Sequence, residues 1–190
     1  MSKVICISGK SGSGKDTLAN AMKTVLDSHN VSSTIIHYAD PVKLFAITCY
    51  NWNGVKDETG RSILQHLGTD VIRNVDENYW VDMIGRFIKD MDTEFKVFLI
   101  PDTRFPNEIE RLEELGLDVT AIRITRYEDD HEYLNPALTD EQHAHPSETS
   151  LDKYYCFDYA VANTTLEELQ ESALGILEDM NLIRKDNDNV

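Results

Sequence analysis

Gly9-Lys10-Ser11-Gly12-Ser13-Gly14-Lys15-Asp16-Thr17 follows the apolar run Val4-Ile5-Cys6-Ile7 after a single residue, Ser8. Glycines in this register let consecutive backbone N–H groups curl around phosphate oxygens, and a lysine after the last glycine reaches the terminal phosphates. Downstream, Leu18, Met22, Val25 and Leu26 recur at helical spacing. A helix that begins near Lys15 turns its positive end toward the same anion. Strand, glycine loop and helix in this order read as a phosphate-binding loop for a nucleoside triphosphate, with Gly12, Ser13, Gly14, Lys15, Asp16 and Thr17 as donor-binding residues. The common pattern has Ser or Thr after the lysine, whereas here Asp16 holds that position and Thr17 follows. The expectation is that Asp16 binds magnesium directly or through its water, with Thr17 contributing a hydroxyl.

Working outward, further strands are expected at Ser33–Tyr38, Phe95–Pro101, Asp118–Thr125 and Tyr155–Ala162, after a first at Lys3–Ser8, with helical patterns between most of them. Strand alternating with helix predicts an α/β fold, a parallel sheet with helices on both faces. Asp40 then Pro41 reads as a helix cap followed by a first-turn proline, Pro106 opens a helix that Gly116 closes, and Thr165 with Glu168 forms a capping box. Trp80, Met83, Ile84, Phe87, Ile88 and Met91 form a stripe expected to face the core. From Arg126 to Ser150 the pattern gives way to a long polar stretch, which inside a compact domain reads as disordered or as a functional lid. His143 and His145 within it read as solvent-facing or hydrogen-bonding rather than metal-ligating.

With 190 residues, the chain suits a single domain, 1–190. Its formal charge of −16 disfavours nucleic acid polymers and anionic membranes as partners. Phosphorylated ligands are therefore expected to be small molecules held by local cations. Cys6, Cys49 and Cys156 are isolated and set in apolar stretches, which predicts neither a disulfide framework nor a zinc site and fits a reduced, cytoplasmic setting. No run nears the roughly 18 apolar residues of a membrane span, and no signal peptide is expected.

In open parallel sheets ligands sit beyond the carboxyl ends of strands, so the polar residues there are the ones to inspect. Four clusters qualify besides the loop: Tyr38–Lys43; Arg61–Asp70 with Arg73 and Trp80; Asp102–Glu108; and the lid candidate, with Arg123 and Arg126 at its start and His145-Pro146-Ser147-Glu148 near its end. A carboxylate such as Asp102 at a strand end orients magnesium or its water in phosphate-loop enzymes, and Arg104 neutralises phosphate oxygens.

Taken together, the Gly-Lys-Asp-Thr ending of the loop, Tyr38–Lys43, Arg61–Thr69 with Trp80, Asp102-Thr-Arg-Phe-Pro-Asn-Glu108 and His145–Glu148 resemble the deoxynucleoside monophosphate kinases of bacteriophages and their bacterial relatives. The resemblance implies a P-loop kinase fold, with an acceptor-binding region over about 38–90 and a lid over about 126–150. It also implies transfer of the γ-phosphoryl of ATP to a deoxynucleoside monophosphate, with Mg2+, in the cytoplasm or, for a phage protein, the host cytoplasm. On matching positions, Asp40, Lys43, Arg61, Gln65, Gly68, Thr69, Arg73 and Trp80 form the acceptor pocket with Glu108. Lys15, Asp102, Arg104 and the lid cation Arg126 act at the reaction centre, and Asn163 lies near the donor base. A kinase of another small phosphorylated acceptor, such as phosphomevalonate, and a P-loop ATPase switch are the alternatives. Trp80 and Gln65 favour a nucleotide acceptor, being suited to stack on and hydrogen-bond a base. Monomer and homodimer are both left open.

Overall fold

A β-strand at Lys3–Ser8 (β1) runs through the middle of the sheet and delivers the glycine loop at its carboxyl end. In the computed structural model, residues 1–55, 57–129 and 131–184 are described; for residues 58, 61, 65 and 69–73 the description extends to the backbone alone. β1 is flanked on one side by Val97–Thr103 (β3), which in turn pairs with Ser33–Ile35 (β2), and on the other by Asp118–Glu128 (β4), which pairs with Tyr159–Asn163 (β6). All four pairings are parallel, giving the order β2-β3-β1-β4-β6. The far end of β4 folds back on the short strand His131–Glu132 (β5) in antiparallel register, Tyr127 opposite Glu132.

Because side chains alternate across a strand, β1 serves two cores at once. Ile5 and Ile7 face the helices Lys15–Ser28 (α1) and Leu166–Asp179 (α9), packing with Leu18, Met22, Leu99, Ile122, Leu169 and Leu177. Val4 and Cys6 face the other way, toward Tyr79–Asp90 (α5) and Asn107–Glu114 (α6), where Val81, Ile84, Ile88, Phe98, Ile109 and Leu112 close the second layer. Full burial of each such side chain contributes about 1.5–3 kcal/mol, so the loop's backbone is anchored by apolar packing on both sides. A third, smaller cluster, Val42, Ala46, Trp52, Leu67 and Trp80, joins Ala39–Tyr50 (α2) to the region around Glu58–Gln65 (α3). α3 runs into a π-helical segment, His66–Val71, and then Ile72–Val75 (α4).

Several local expectations change. The helix after β2 starts at Ala39 with Tyr38 at its cap, so Asp40 lies in the first turn and is not the cap. β2 stops at Ile35 rather than Tyr38, although the Ile36 N–H still donates to Leu99 O. Met83 and Phe87 are exposed on α5, so the stripe is core only at Trp80, Ile84 and Ile88, with Met91 packed at its edge. The stretch 126–150 has structure of its own: the end of β4, β5, and the short helices Asp140–His143 (α7) and Pro146–Thr149 (α8). Cys6 is buried, whereas Cys49 and Cys156, also set in apolar stretches, are exposed; all three are free thiols. Pro106 caps α6, Gly116 at φ +79° ends it, and the Thr165 side chain accepts the Glu168 N–H at the start of α9.

Candidate active site

Gly12 and Gly14 both have positive φ, +79° and +98°, a conformation that only glycine adopts without strain. Space imposes the same choice: a Cβ on Gly12 would lie 2.8 Å from the Tyr133 ring, and one on Gly14 would collide with the Asn163 amide. Asn163 donates from Nδ2 to Ser13 O at 2.8 Å, so it braces the loop from the end of β6. The Ser13 hydroxyl is buried with no hydrogen-bond partner among the described residues. The loop is therefore braced by Tyr133, just after β5, and by Asn163 from β6, two contacts that its local sequence does not announce.

Lys15 opens α1 but curls back, its Nζ donating to Gly9 O and Lys10 O, each at 2.8 Å. Burial pushes its pKa down from 10.5 to about 7; the Arg104 guanidinium adds to the effect, and Glu148, Asp16 and Asp102 oppose it. Asp16 and Thr17 are exposed on the first turn of α1. The Asp16 carboxylate meets His37 Nε2 at 3.2 Å, and His37 Nδ1 lies 3.3 Å from Asp40. Asp40 accepts the His37 N–H at 3.1 Å and pairs with Lys43 at 2.7 Å. Burial alone would raise the Asp40 carboxyl, yet Lys43 and His37 hold it below the usual carboxylate range. His37 thus links the loop's carboxylate to the helix that carries Lys43. Sequence reading passed over it because a lone histidine after a strand carries no motif.

At the end of β3, Asp102 accepts the N–H groups of Tyr38 at 2.9 Å and Ala39 at 3.0 Å, so both oxygens serve the turn into α2. Burial pushes its carboxyl up, against those two hydrogen bonds. Glu108 is buried and accepts the N–H groups of Arg104 at 2.6 Å and Phe105 at 3.1 Å, which shapes the segment that carries Arg104. Arg104 Nη1 donates to Ser147 O at 3.1 Å and pairs with Glu148. The second Glu148 oxygen accepts the Ser11 N–H of the loop at 2.7 Å.

An open cleft of about 210 Å³ adjoins this point, with Lys43, Gly68, Trp80, Asp102, Arg104 and Glu108 among its walls. Trp80 is 2% exposed and donates from Nε1 to Gly68 O at 3.2 Å, so it belongs to the core cluster and the cleft wall together. The side chains of Arg61, Gln65, Thr69 and Arg73, expected in this pocket, lie outside the described residues.

On the lid side, Arg126 lies 4.3 Å from the Tyr133 ring centroid, donates to Gly12 O at 3.4 Å and pairs with Glu128. Arg123 is tied down instead, to Ser8 Oγ at 3.0 Å and Asp152 at 2.8 Å. His145 caps α8, its Nδ1 accepting the Ser147 N–H at 3.2 Å. Arg104, Lys15 and Arg126 therefore surround one loop, and Trp80, Gly68 and Lys43 extend from it into one cleft. This arrangement suits the binding of an anionic phosphate chain beside a second small molecule.

The family model for deoxynucleotide monophosphate kinase matches residues 52–171. A search of curated proteins finds no match. Among solved structures, the APS kinase CysC of Mycobacterium tuberculosis in complex with AMPPNP and APS superposes with a TM-score of 0.51 at 12% identity, over 93% of this chain and 98% of that one. An unliganded sugar kinase from Janibacter sp. HTCC2649 gives a TM-score of 0.52 at 14% identity, over 97% of this chain and 99% of that one. At such identities the likeness is one of fold, that of the P-loop kinases: a mostly parallel sheet flanked by helices.

Proposed function

The chain belongs to the deoxynucleotide monophosphate kinase family, and we propose that it moves the γ-phosphoryl of ATP to a deoxynucleoside 5′-monophosphate, yielding the diphosphate and ADP. The observation that carries this reading is the double engagement of Arg104. It walls the cleft that holds Trp80, Gly68 and Lys43, and through Glu148 it is joined to the Ser11 N–H of the phosphate loop. A donor on the loop and an acceptor in the cleft would meet at its guanidinium.

The chemistry asks for alignment and charge compensation. An oxygen of the acceptor's phosphate attacks the γ-phosphorus as the bond from that phosphorus to the β–γ bridging oxygen breaks, and the electron pair leaves with ADP. That attacking oxygen is already ionised near neutral pH, so no general base is required. Lys15, charged when it meets phosphate, and Arg104 offset the negative charge that spreads over the transferring group, and Arg126 supplies a further cation from the lid side. In the cleft, Trp80 contributes its edge to the wall beside the base, while Lys43, Arg61 and Arg73 are the cations proposed for the acceptor's phosphate and Asp40, Gln65, Gly68, Thr69 and Glu108 complete the pocket.

Magnesium fits the residues present: Asp16 offers an exposed carboxylate and Thr17 a hydroxyl at the open start of α1, the hard oxygen donors this ion takes. When bound there with the phosphates, the ion adds positive charge and holds the donor's geometry. Asp16 would be shared with His37, which keeps it oriented.

The test is ADP release from ATP measured across deoxy- and ribonucleoside monophosphates, with phosphomevalonate included. Strong stimulation by a subset of deoxynucleotides is expected. Stimulation by phosphomevalonate alone, or steady hydrolysis indifferent to every acceptor, would overturn the reading.

A further inference from the structure

Glu148 lies where no family motif reading gave it a task of its own. Its side chain is 9% exposed, and its two oxygens are divided between the phosphate loop and Arg104: one accepts the Ser11 N–H at 2.7 Å, the other pairs with Nη1 of the guanidinium. Both partners are groups suited to a phosphate oxygen, a backbone N–H of the glycine loop and a guanidinium facing the cleft. Around them the other cations are turned onto protein atoms as well. Lys15 rests on the carbonyls of Gly9 and Lys10, and Arg126 lies against Gly12 O and Tyr133. A carboxylate with two oxygens and one negative charge resembles one face of a phosphate group.

A single N–H cannot satisfy Glu148 and a donor phosphate with good geometry together, and a carboxylate left against a triphosphate is repelled. We propose that Glu148 is an internal phosphate surrogate: it competes with the terminal phosphate of the donor for the Ser11 N–H and Arg104, and donor binding displaces it and frees Arg104 for the transferring group. The inference rests on the reading that the donor's phosphates occupy the loop.

The surrounding structure permits such a displacement. Glu148 sits on α8, a helix of one turn capped by His145, and α7 before it is equally short. The chain is anchored again at Leu151, 3% exposed in the second core layer, and before β5 by β4. Between those anchors the Tyr133 ring packs on Gly12, and around it the segment touches the loop through polar contacts, Glu148 to Ser11 N, Asn135 Nδ2 to Ser11 Oγ at 3.1 Å and Lys10 to Glu132 at 3.8 Å. Contacts of this kind exchange with a charged ligand more readily than buried apolar packing does.

A competing internal anion lowers the apparent affinity for the donor by the fraction of molecules in which it is displaced. Titration calorimetry of the full chain with AMPPNP and magnesium tests this on Glu148→Gln, Glu148→Asp and Lys15→Ala. Glu148→Gln is expected to bind AMPPNP at least about fivefold more tightly than the parent, since it keeps the shape and removes the charge. Glu148→Asp, whose shorter arm cannot span both partners, should tighten binding by a smaller factor and serves if the Gln variant fails to fold. Lys15→Ala should lose most binding. If Lys15→Ala loses binding but folded Glu148 variants bind AMPPNP no more tightly than the parent, the surrogate role is wrong and the donor-site reading survives. Parent-like AMPPNP binding by Lys15→Ala overturns both.

Discussion

The Asp102 carboxylate accepts the Ala39 N–H at 3.0 Å, tying the end of β3 to the first turn of the helix that carries Lys43. With the Tyr38 N–H on its other oxygen, this carboxylate sets how α2 leaves the sheet. Asp102→Asn retains one acceptor oxygen for two donors. The expected cost is about 1–3 kcal/mol, because one buried N–H then lacks its partner. Kinetically the acceptor KM should rise more than the ATP KM, since α2 borders the cleft. Urea unfolding together with both KM values checks this, and a donor-selective defect would return Asp102 to a role at the donor's metal.

Trp80 is expected to show two effects from one substitution. Trp80→Leu removes the wall of the cleft, the hydrogen bond to Gly68 O and part of the cluster with Val42 and Leu67. Stability should fall by about 1–3 kcal/mol, as for other large-to-small core changes. The acceptor KM should rise with the ATP KM unchanged. An unaltered acceptor KM in a destabilised variant would make Trp80 a core residue alone.

Lys15 supplies a pH-dependent signature. Its pKa of about 7, set first by burial and then by Arg104, compares with 10.5 in the unfolded chain. Between those values the unfolded chain holds more protons on this residue, so its contribution makes stability rise with pH across that window, and the cost of burying the ammonium is fully present below about 7. Phosphate bound beside it favours the charged form. Donor binding at about pH 8 should therefore take up roughly one proton. Calorimetry of AMPPNP binding in buffers of different ionisation enthalpy reads that uptake, which should vanish in Lys15→Met. No buffer dependence in the parent would mean that Lys15 does not meet the phosphate.

For Arg126, held between Tyr133 and Gly12 O, the expected loss lies in turnover. Arg126→Ala should lower kcat by about a hundredfold with ATP affinity little changed, since its charge acts on the transferring group. Arg126→Lys should recover little of it, because an ammonium lacks the planar group that stacks on Tyr133. A variant with parent-like kcat and weakened ATP binding would assign Arg126 to ground-state binding.

How far the sequence carries depends on the range of the interactions involved. β1, the glycine loop and α1 are legible because a continuous apolar strand, three glycines and a helical apolar stripe are local signals. The helix over Tyr79–Asp90 and the Thr165 cap are legible for the same reason. Asp-Pro is a strong local signal for a cap at Asp40, whereas the Asp102 carboxylate, far along the chain, supports a helix start two residues earlier. Strands and helices of two to four residues, such as β5, α7 and α8, contain too little periodicity to be read. The contacts of Ser11 with Glu148, Gly12 with Tyr133 and Asp16 with His37 join distant segments, and only the folded sheet brings them together.

The central claim is that one loop and one cleft bring ATP and a deoxynucleoside monophosphate to a shared point. Its most direct measurement follows the label from ATP carrying a radioactive γ-phosphate, incubated with the enzyme and each deoxynucleoside monophosphate in turn. The account predicts labelled deoxynucleoside diphosphate from at least one acceptor, with transfer reduced by about a hundredfold or more in folded Lys15→Ala. Label that appears only as inorganic phosphate, whichever acceptor is present, would contradict it.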